Sequence, residues 1–129
     1  MNNIKNLTVE EIFNLAVKNH QENKLEEAQD LYDQILKIDP NYAQAYNNLG
    51  TIFQNSKEYQ KAIKCYEKAI EIIPNYSNAH NNLGIIFKEN GDTQKAINYY
   101  EKAIEIDPNY SNAYYNLGNT FKELGENQK

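Results

Sequence analysis

The sequence predicts an all-α fold in which antiparallel helix pairs stack as a solenoid, and three observations carry this prediction. First, Pro40, Pro74 and Pro108 are 34 residues apart, and Asn-Tyr follows each of them. Second, an ungapped alignment of residues 43–76 with 77–110 gives 21 identities in 34 positions. Third, the apolar residues within each copy follow the spacing of an α-helix. One helix pair cannot bury both of its faces, so repeated pairs are expected to pack on one another.

The repeat period divides the chain into three complete copies and one half copy within a single repeat domain. The divisions are an N-terminal segment 1–8, a divergent first copy 9–42, a second copy 43–76, a third copy 77–110 and a half copy 111–129. The half copy matches only the first part of the repeat, so we expect it to supply one helix without its pair. The prediction is therefore three and a half repeats, with seven helices and no strand.

In the first copy we predict helices over 9–22 and 25–38. Thr8 and Glu11 stand at the start as a capping box, in which Thr8 caps the helix and Glu11 bonds back to the Thr8 backbone. The proline at the end of the copy stops the second helix. Proline cannot continue a helix, and it pushes the residue before it out of the α region.

The second copy is predicted to form helices over 42–55 and 59–72. Tyr46, Leu49 and Phe53 are three and four residues apart, which places them on one face of the first of these helices. The remaining helices repeat the pattern over 76–90, 93–106 and 110–124.

Small residues predict how the two helices of a pair pack. The first helix has a small residue at one recurring position: Ala16, Gly50, Gly84 and Gly118. The second helix has a recurring tyrosine, with an alanine four residues before it: Tyr32, Tyr66 and Tyr100. We expect each tyrosine to fill the space that the small residue opposite leaves open.

This pattern resembles the tetratricopeptide repeat over residues 9–129. The family's Leu-Gly pair appears as Leu49-Gly50, Leu83-Gly84 and Leu117-Gly118, and the aromatic residue after it as Phe53, Phe87 and Phe121. The first copy departs from the pattern at Asn19 and Ile35, as terminal repeats often do. The resemblance implies a right-handed superhelical solenoid. It also implies that the concave surface, lined by the first helices, holds an extended peptide or a partner helix.

Asparagine recurs on the surface that the resemblance assigns to the groove. All four copies have it at one position, Asn14, Asn48, Asn82 and Asn116, a set here called the asparagine ladder. Because an amide both donates and accepts, a column of amides could bind a peptide main chain with little regard to its side chains. The ladder is similar to one in the repeat arm of O-linked N-acetylglucosamine transferase. The predicted peptide-binding set adds neighbouring positions on the same helices: Asn47, Asn81, Gln44, Asn78, Asn112, Lys88 and Lys122.

Composition offers a second interpretation of the ladder. The chain has 21 asparagines in 129 residues, so duplication alone could fill the column with solvated side chains.

The carboxylate clamp of chaperone-binding co-chaperones needs basic residues where this chain has Phe13, Val17, Asn78 and Asn82. Only Asn48 matches that clamp and the chain has no Arg, so we do not expect one. Glutamates next to Lys88 and Lys122 favour solvated charges over groove cations at those two positions.

Few residues suit catalysis or metal binding. Cys65 is the single cysteine, and His20 and His80 fall in different segments. We therefore expect no disulfide, no zinc site and no nucleophile with its base. His80 stands in the aromatic packing column, whereas His20 is expected at the surface. The sequence predicts no enzyme activity and no cofactor.

Charge narrows the choice of partner. Thirteen lysines oppose eighteen acidic residues, and the net charge of −5 argues against nucleic acid and against an anionic membrane. No apolar run is long enough for a signal peptide or a membrane helix. We expect a protein or peptide partner and a cytoplasmic location, with the nucleus as the alternative.

Three functions fit these observations. The first is a non-catalytic scaffold that binds an extended peptide segment of a partner in the concave groove. The second is the substrate-recognition arm of a larger enzyme, such as a glycosyltransferase. The third is self-association through the half copy, because Tyr114, Leu117 and Phe121 have no following helix to cover them.

Overall fold

A computed structural model describes residues 6–127 of the chain, with side chains up to residue 126. Residues 1–5 of the N-terminal segment and 128–129 of the half copy lie outside the described residues. The described residues form seven α-helices and no strand: α1 Val9–Gln21, α2 Leu25–Ile38, α3 Ala43–Asn55, α4 Tyr59–Ile72, α5 Ser77–Glu89, α6 Thr93–Ile106 and α7 Ser111–Asn127. The predicted all-α class is confirmed. Every bound lies within one residue of its prediction except the end of α7, which continues to Asn127 instead of stopping at 124.

The ends of the helices show why the repeat folds in the same way in each copy. Thr8 and Glu11 form the predicted capping box, with both of its reciprocal hydrogen bonds present. After the first helix of each pair, Asn23, Lys57 and Gly91 adopt positive φ angles of 62°, 64° and 85°. A residue with positive φ ends a helix and reverses the chain direction, and glycine adopts that conformation without a side-chain clash.

The chain divides into two compact units, Met1–Ile72 and Ile73–Lys129. In the first unit α1 packs on α2, α2 on α3, and α3 on α4. Ile12, Ala16, Tyr32, Ile35 and Leu49 are among the residues that form its buried core. In the second unit α5 packs on α6, and α7 contacts both of these helices.

The predicted close approach of paired helices is present at two glycines. A Cβ atom added to Gly50 would lie 2.5 Å from Tyr66 Cε1, and one added to Gly84 would lie 2.5 Å from Tyr100 Cε1. Real Cβ atoms do not approach a ring this closely, so each tyrosine occupies the volume of a missing side chain. The predicted close approach is absent at Gly118. Apart from its chain neighbours and the nearby backbone of α7 itself, no described atom lies within 4 Å of a Cβ atom added there. The half copy provides no second helix to bring a tyrosine there.

Candidate peptide-binding surface

The four ladder asparagines differ in exposure and in what they contact. In the first unit Asn14 is exposed, and Asn48 is half-buried with its Nδ2 donating to the Tyr32 hydroxyl at 3.2 Å. In the second unit Asn82 Nδ2 donates to Asn78 Oδ1 at 2.9 Å, and Asn116 Nδ2 donates to Asn81 Oδ1 at 3.1 Å. Three of the four amides therefore bond to the protein's own side chains.

These contacts leave hydrogen-bonding capacity at Asn48 and Asn116. An asparagine amide has two N–H bonds and an oxygen that accepts. The side-chain contact of Asn48 uses one N–H, and that of Asn116 also uses one N–H. A peptide main chain offers alternating carbonyl acceptors and N–H donors, which match the second N–H and the oxygen of each amide.

The residues directly before the ladder are buried. Asn47 is 5% exposed and Asn81 is 3% exposed, so neither side chain is open at the surface as the sequence leads us to expect. Successive residues on a helix point about 100° apart, so a neighbour of a surface position can turn into the protein. Asn81 does so where α5 meets α7, and there it receives the hydrogen bond from Asn116.

The outer positions of the predicted set are exposed except for the half-buried Lys88, and some of them already bond to side chains of the protein. Gln44 and Asn112 are exposed, and Asn78 Nδ2 donates to the Tyr110 hydroxyl at 3.0 Å. Lys88 Nζ lies 3.1 Å from Glu123 Oε1, an ion pair that joins α5 to α7. Lys122 is exposed on α7. Because Lys88 already has a carboxylate partner, it is less suited to bind a ligand than the sequence indicates.

Tyr32 is a hydrogen-bonding centre that sequence reasoning missed. Its hydroxyl accepts from Asn48 and lies 3.2 Å from His20 Nδ1, so it joins α1, α2 and α3. Burial raises the pKa of Tyr32, and the bond from Asn48 partly offsets this rise. The signal was available in the sequence, because a buried tyrosine hydroxyl usually needs a partner and Tyr32 recurs at the repeat period.

The two histidines and the cysteine have structural surroundings. His20, expected at the surface, is half-buried against Tyr32, and burial lowers its pKa. His80 is buried, which agrees with its place in the packing column. Burial raises the pKa of the Cys65 thiol to about 11. A thiol with so high a pKa remains protonated at neutral pH and is a poor nucleophile.

Two kinds of site are absent from the part of the chain that the structure describes. No group of three or more His, Cys, Asp or Glu side chains among them could hold a metal ion. No helix in residues 6–127 combines the length and the apolar character that a membrane-spanning segment needs.

The fold and the amide-rich first helices define an all-α repeat protein. Comparison with known families identifies the kind of repeat. A tetratricopeptide repeat profile matches residues 41–109, a second such profile matches 99–129, and a TPR repeat profile matches 19–57. The first of these profiles alone spans more than half of the chain. The chain therefore belongs to the tetratricopeptide repeat family.

Three solved structures illustrate the fold that this chain shares. The crystal structure of MamA is 29% identical with a TM-score of 0.81, and the match covers 92% of this chain and 69% of that one. The first TPR of Spaghetti (RPAP3), bound to the HSP90 peptide SRMEEVD, is 20% identical with a TM-score of 0.83, covering 91% and 93%. A Thermobaculum terrenum O-GlcNAc transferase mutant is 21% identical with a TM-score of 0.84, covering 93% of this chain and 23% of that one. A search of curated proteins found no match.

Proposed function

We propose that this chain is a non-catalytic scaffold that binds an extended peptide segment of a partner protein through its asparagine ladder. The observation that carries the proposal is the recurrence of asparagine at one position in all four copies, with Asn14 exposed and Asn48 and Asn116 retaining hydrogen-bonding capacity. That a domain of the same fold was solved with a peptide bound supports this class of function.

The ladder suits the main chain of an extended ligand. Packed helices lie about 8–10 Å apart, and an extended peptide rises about 3.3 Å per residue. Two ladder amides on successive first helices of one compact unit would therefore contact the ligand about every third residue. Because the contacts are to the main chain, we expect specificity for ligand side chains to be low at these contacts.

The ligand is expected to differ from the HSP90 peptide held by the RPAP3 domain. That peptide carries several acidic groups, whereas the clamp positions of this chain hold Phe13, Val17, Asn78 and Asn82. An uncharged amide cannot offset the cost of removing a carboxylate from water as a lysine or arginine does. We propose a peptide of mixed or neutral character.

Affinity selection from a random peptide library supplies the ligand for a test of this function. Asn48→Ala/Asn82→Ala should weaken the selected peptide by about 0.5–1.5 kcal/mol for each hydrogen bond lost. The matched control is Asn41→Ala/Asn75→Ala, which removes two loop amides at the same repeat spacing and should leave affinity unchanged. Methylation of ligand main-chain nitrogens should weaken binding at about every third position. Equal effects of the two double variants on a groove ligand would remove the ladder from the mechanism.

A specific observation also supports self-association through α7. Tyr114, Tyr115 and Phe121 are exposed large hydrophobic residues on that helix, and the face beside Gly118 is open. Exposed apolar side chains that cluster on one element are typical of an interface. We propose this contact as a second function, which light scattering of the chain and of its α7 variants at rising concentration tests.

Two further proposals concern context. The chain could serve as the recognition arm of a larger enzyme, and the complete open reading frame tests this directly by showing whether a catalytic domain accompanies the repeats. We propose a cytoplasmic location, with the nucleus as the alternative, because a lone thiol suits a reducing compartment. Imaging of a fluorescent fusion would distinguish the two compartments.

A further inference from the structure

A chain of hydrogen bonds links one ladder amide to a titratable side chain in the first compact unit. Asn48 Nδ2 on α3 donates to the Tyr32 hydroxyl of α2 at 3.2 Å, and the same hydroxyl lies 3.2 Å from His20 Nδ1 on α1. The rings of His20 and Tyr32 meet edge to face, with centroids 6.0 Å apart and planes at 75°. The ladder at Asn48 is therefore connected to a group whose charge changes near neutral pH.

The direction of each hydrogen bond follows from the atoms involved. An amide nitrogen only donates, so the Tyr32 oxygen accepts from Asn48. Tyr32 is 0% exposed, so the hydrogen of its hydroxyl cannot go to bulk water, and among the described residues His20 Nδ1 is the partner left for it. Nδ1 is then the acceptor of a neutral imidazole whose own hydrogen is on Nε2. Neutral His20 thus fixes which way the hydroxyl and the Asn48 amide point.

The second copy builds the same contact with a side chain that does not titrate. Gln54 is at the position of His20, and its Oε1 accepts from the Tyr66 hydroxyl at 2.6 Å. The third copy has Lys88 at this position, an ammonium that cannot accept and that pairs with Glu123 instead. An acceptor beside the tyrosine is thus a feature of the first two copies, and in the first copy a proton can remove it.

The surroundings of His20 favour its neutral form. The side chain is half-buried, and burial lowers its pKa. From α2 it faces the Tyr32 phenol, whose own pKa is raised by burial, and the α3 amide beyond that phenol is uncharged. The charged residues nearest along the chain are Lys18, Glu22 and Lys24, of which Lys24 pairs with Glu22 at 3.3 Å. His20 is therefore neutral at about pH 7 and gains its proton below the ordinary histidine value of about 6.5.

We propose that His20 is a positioning residue for peptide binding, which holds the Asn48 amide with one N–H on Tyr32 and its oxygen free for a main-chain N–H of the ligand. The role of His20 rests on the proposed ladder function and makes that function pH-dependent. When His20 takes up a proton, Nδ1 becomes a donor to the Tyr32 oxygen, and the buried hydroxyl hydrogen needs a new acceptor. The Asn48 amide turns over to supply its oxygen, and it then presents only N–H groups to the ligand. Peptide binding should therefore weaken as the pH falls through the pKa of His20.

The test is the affinity of a histidine-free peptide from the library selection, with blocked termini, for the full chain between about pH 7.5 and about pH 5.5. We expect the affinity to fall by at least about twofold over this range, because one hydrogen bond is being lost. His20→Gln, which copies Gln54, should keep the higher affinity over the whole range. His20→Lys, which copies Lys88, should bind weakly at both ends. His80→Tyr is the control for the other histidine and should leave the pH dependence in place, since Tyr46 shows that the repeat accepts tyrosine at that position.

NMR of the free chain tests the hydrogen-bond chain without a peptide. At about pH 7.5 the His20 ring should have an unprotonated Nδ1 and a hydrogen on Nε2. The side-chain amide signals of Asn48 should follow the titration of His20, and in His20→Gln they should not change over the same range. The role of His20 is overturned if the peptide binds the unmodified chain with a flat pH profile, or if the Asn48 signals do not follow the titration. If no peptide binds through the ladder, the ladder function is overturned, and the Asn48 signals alone decide whether His20 positions that amide.

Discussion

Helices α5 and α7 are copies of one sequence pattern within one compact unit, yet one has a paired helix and the other does not. On α5, Gly84 receives the ring of Tyr100 from α6, and Tyr100 is 1% exposed. On α7, Gly118 faces open space, and Tyr114 is 49% exposed. The repeat sequence therefore specifies a surface for a second helix whether or not that helix follows. On α7 this surface is exposed, whereas on α5 the side chains of α6 cover it.

Removing the tyrosine that fills the α5 surface is expected to have the largest effect. Tyr100→Ala should lower the free energy of unfolding by about 3–5 kcal/mol, because it deletes a fully buried aromatic side chain and leaves a cavity. Tyr114→Ala, on the half-exposed side of α7, should cost less than about 1 kcal/mol. Denaturant unfolding of both variants measures the difference. Similar losses in the two variants would show that α7 is as well covered as α5.

Filling the space at the glycine tests the same contact from the other side. Gly84→Val should destabilise the chain by about 2 kcal/mol, because the added carbon atoms would overlap the ring of Tyr100 and force a repacking. Gly118→Val, the matched control on α7, should change stability by no more than about 0.5 kcal/mol. Thermal and denaturant unfolding both report these values. A large loss at Gly118→Val would mean that another chain occupies that face in solution.

The hydrogen bond between the two helices is expected to contribute less. Asn116→Ala removes the donor to Asn81 Oδ1 and leaves a buried acceptor unpaired, which should cost about 1–2 kcal/mol. Asn112→Ala, an exposed asparagine on the same helix, controls for the higher helix propensity of alanine. The difference between the two free energies of unfolding isolates the bond. No difference would indicate that Asn116 is free to bind a ligand with its whole amide.

The fold could be predicted from the sequence because its signals are local and repeated. Helical spacing, proline at each boundary and the capping box at Thr8 placed the helix bounds, and the 34-residue period predicted the contact of Gly84 with Tyr100. The end of α7 was predicted too early, because no proline follows Glu123 to stop the helix.

The candidate surface was harder to predict, since asparagine gives no hydrophobic signal. Asn81 and Asn82 are identical neighbours, yet Asn81 is buried where it contacts a helix about 35 residues later, whereas Asn82 is only half-buried. The partner of Tyr32 is likewise set by tertiary packing. Polar burial depends on distant partners, so repeat spacing identified the ladder but could not show which amides the protein itself would use.

Self-association of the chain is the sharpest test of the open face of α7. Substitutions on that face are also expected to change stability least. If the face self-associates, light scattering at rising concentration should show an increasing mean mass. Phe121→Gln should weaken that association about tenfold, which corresponds to about 1.4 kcal/mol of lost apolar contact. Unfolding of the monomer should hardly change, because Phe121 is half-exposed. Ile38→Gln, which removes another exposed apolar residue in the other unit, should leave association unaltered.

A second variant, Leu124→Lys, places a charge on α7 and should also weaken self-association. A chain that stays monomeric at all concentrations, with a stability that Leu124→Lys does not alter, would exclude α7 as an interface between copies.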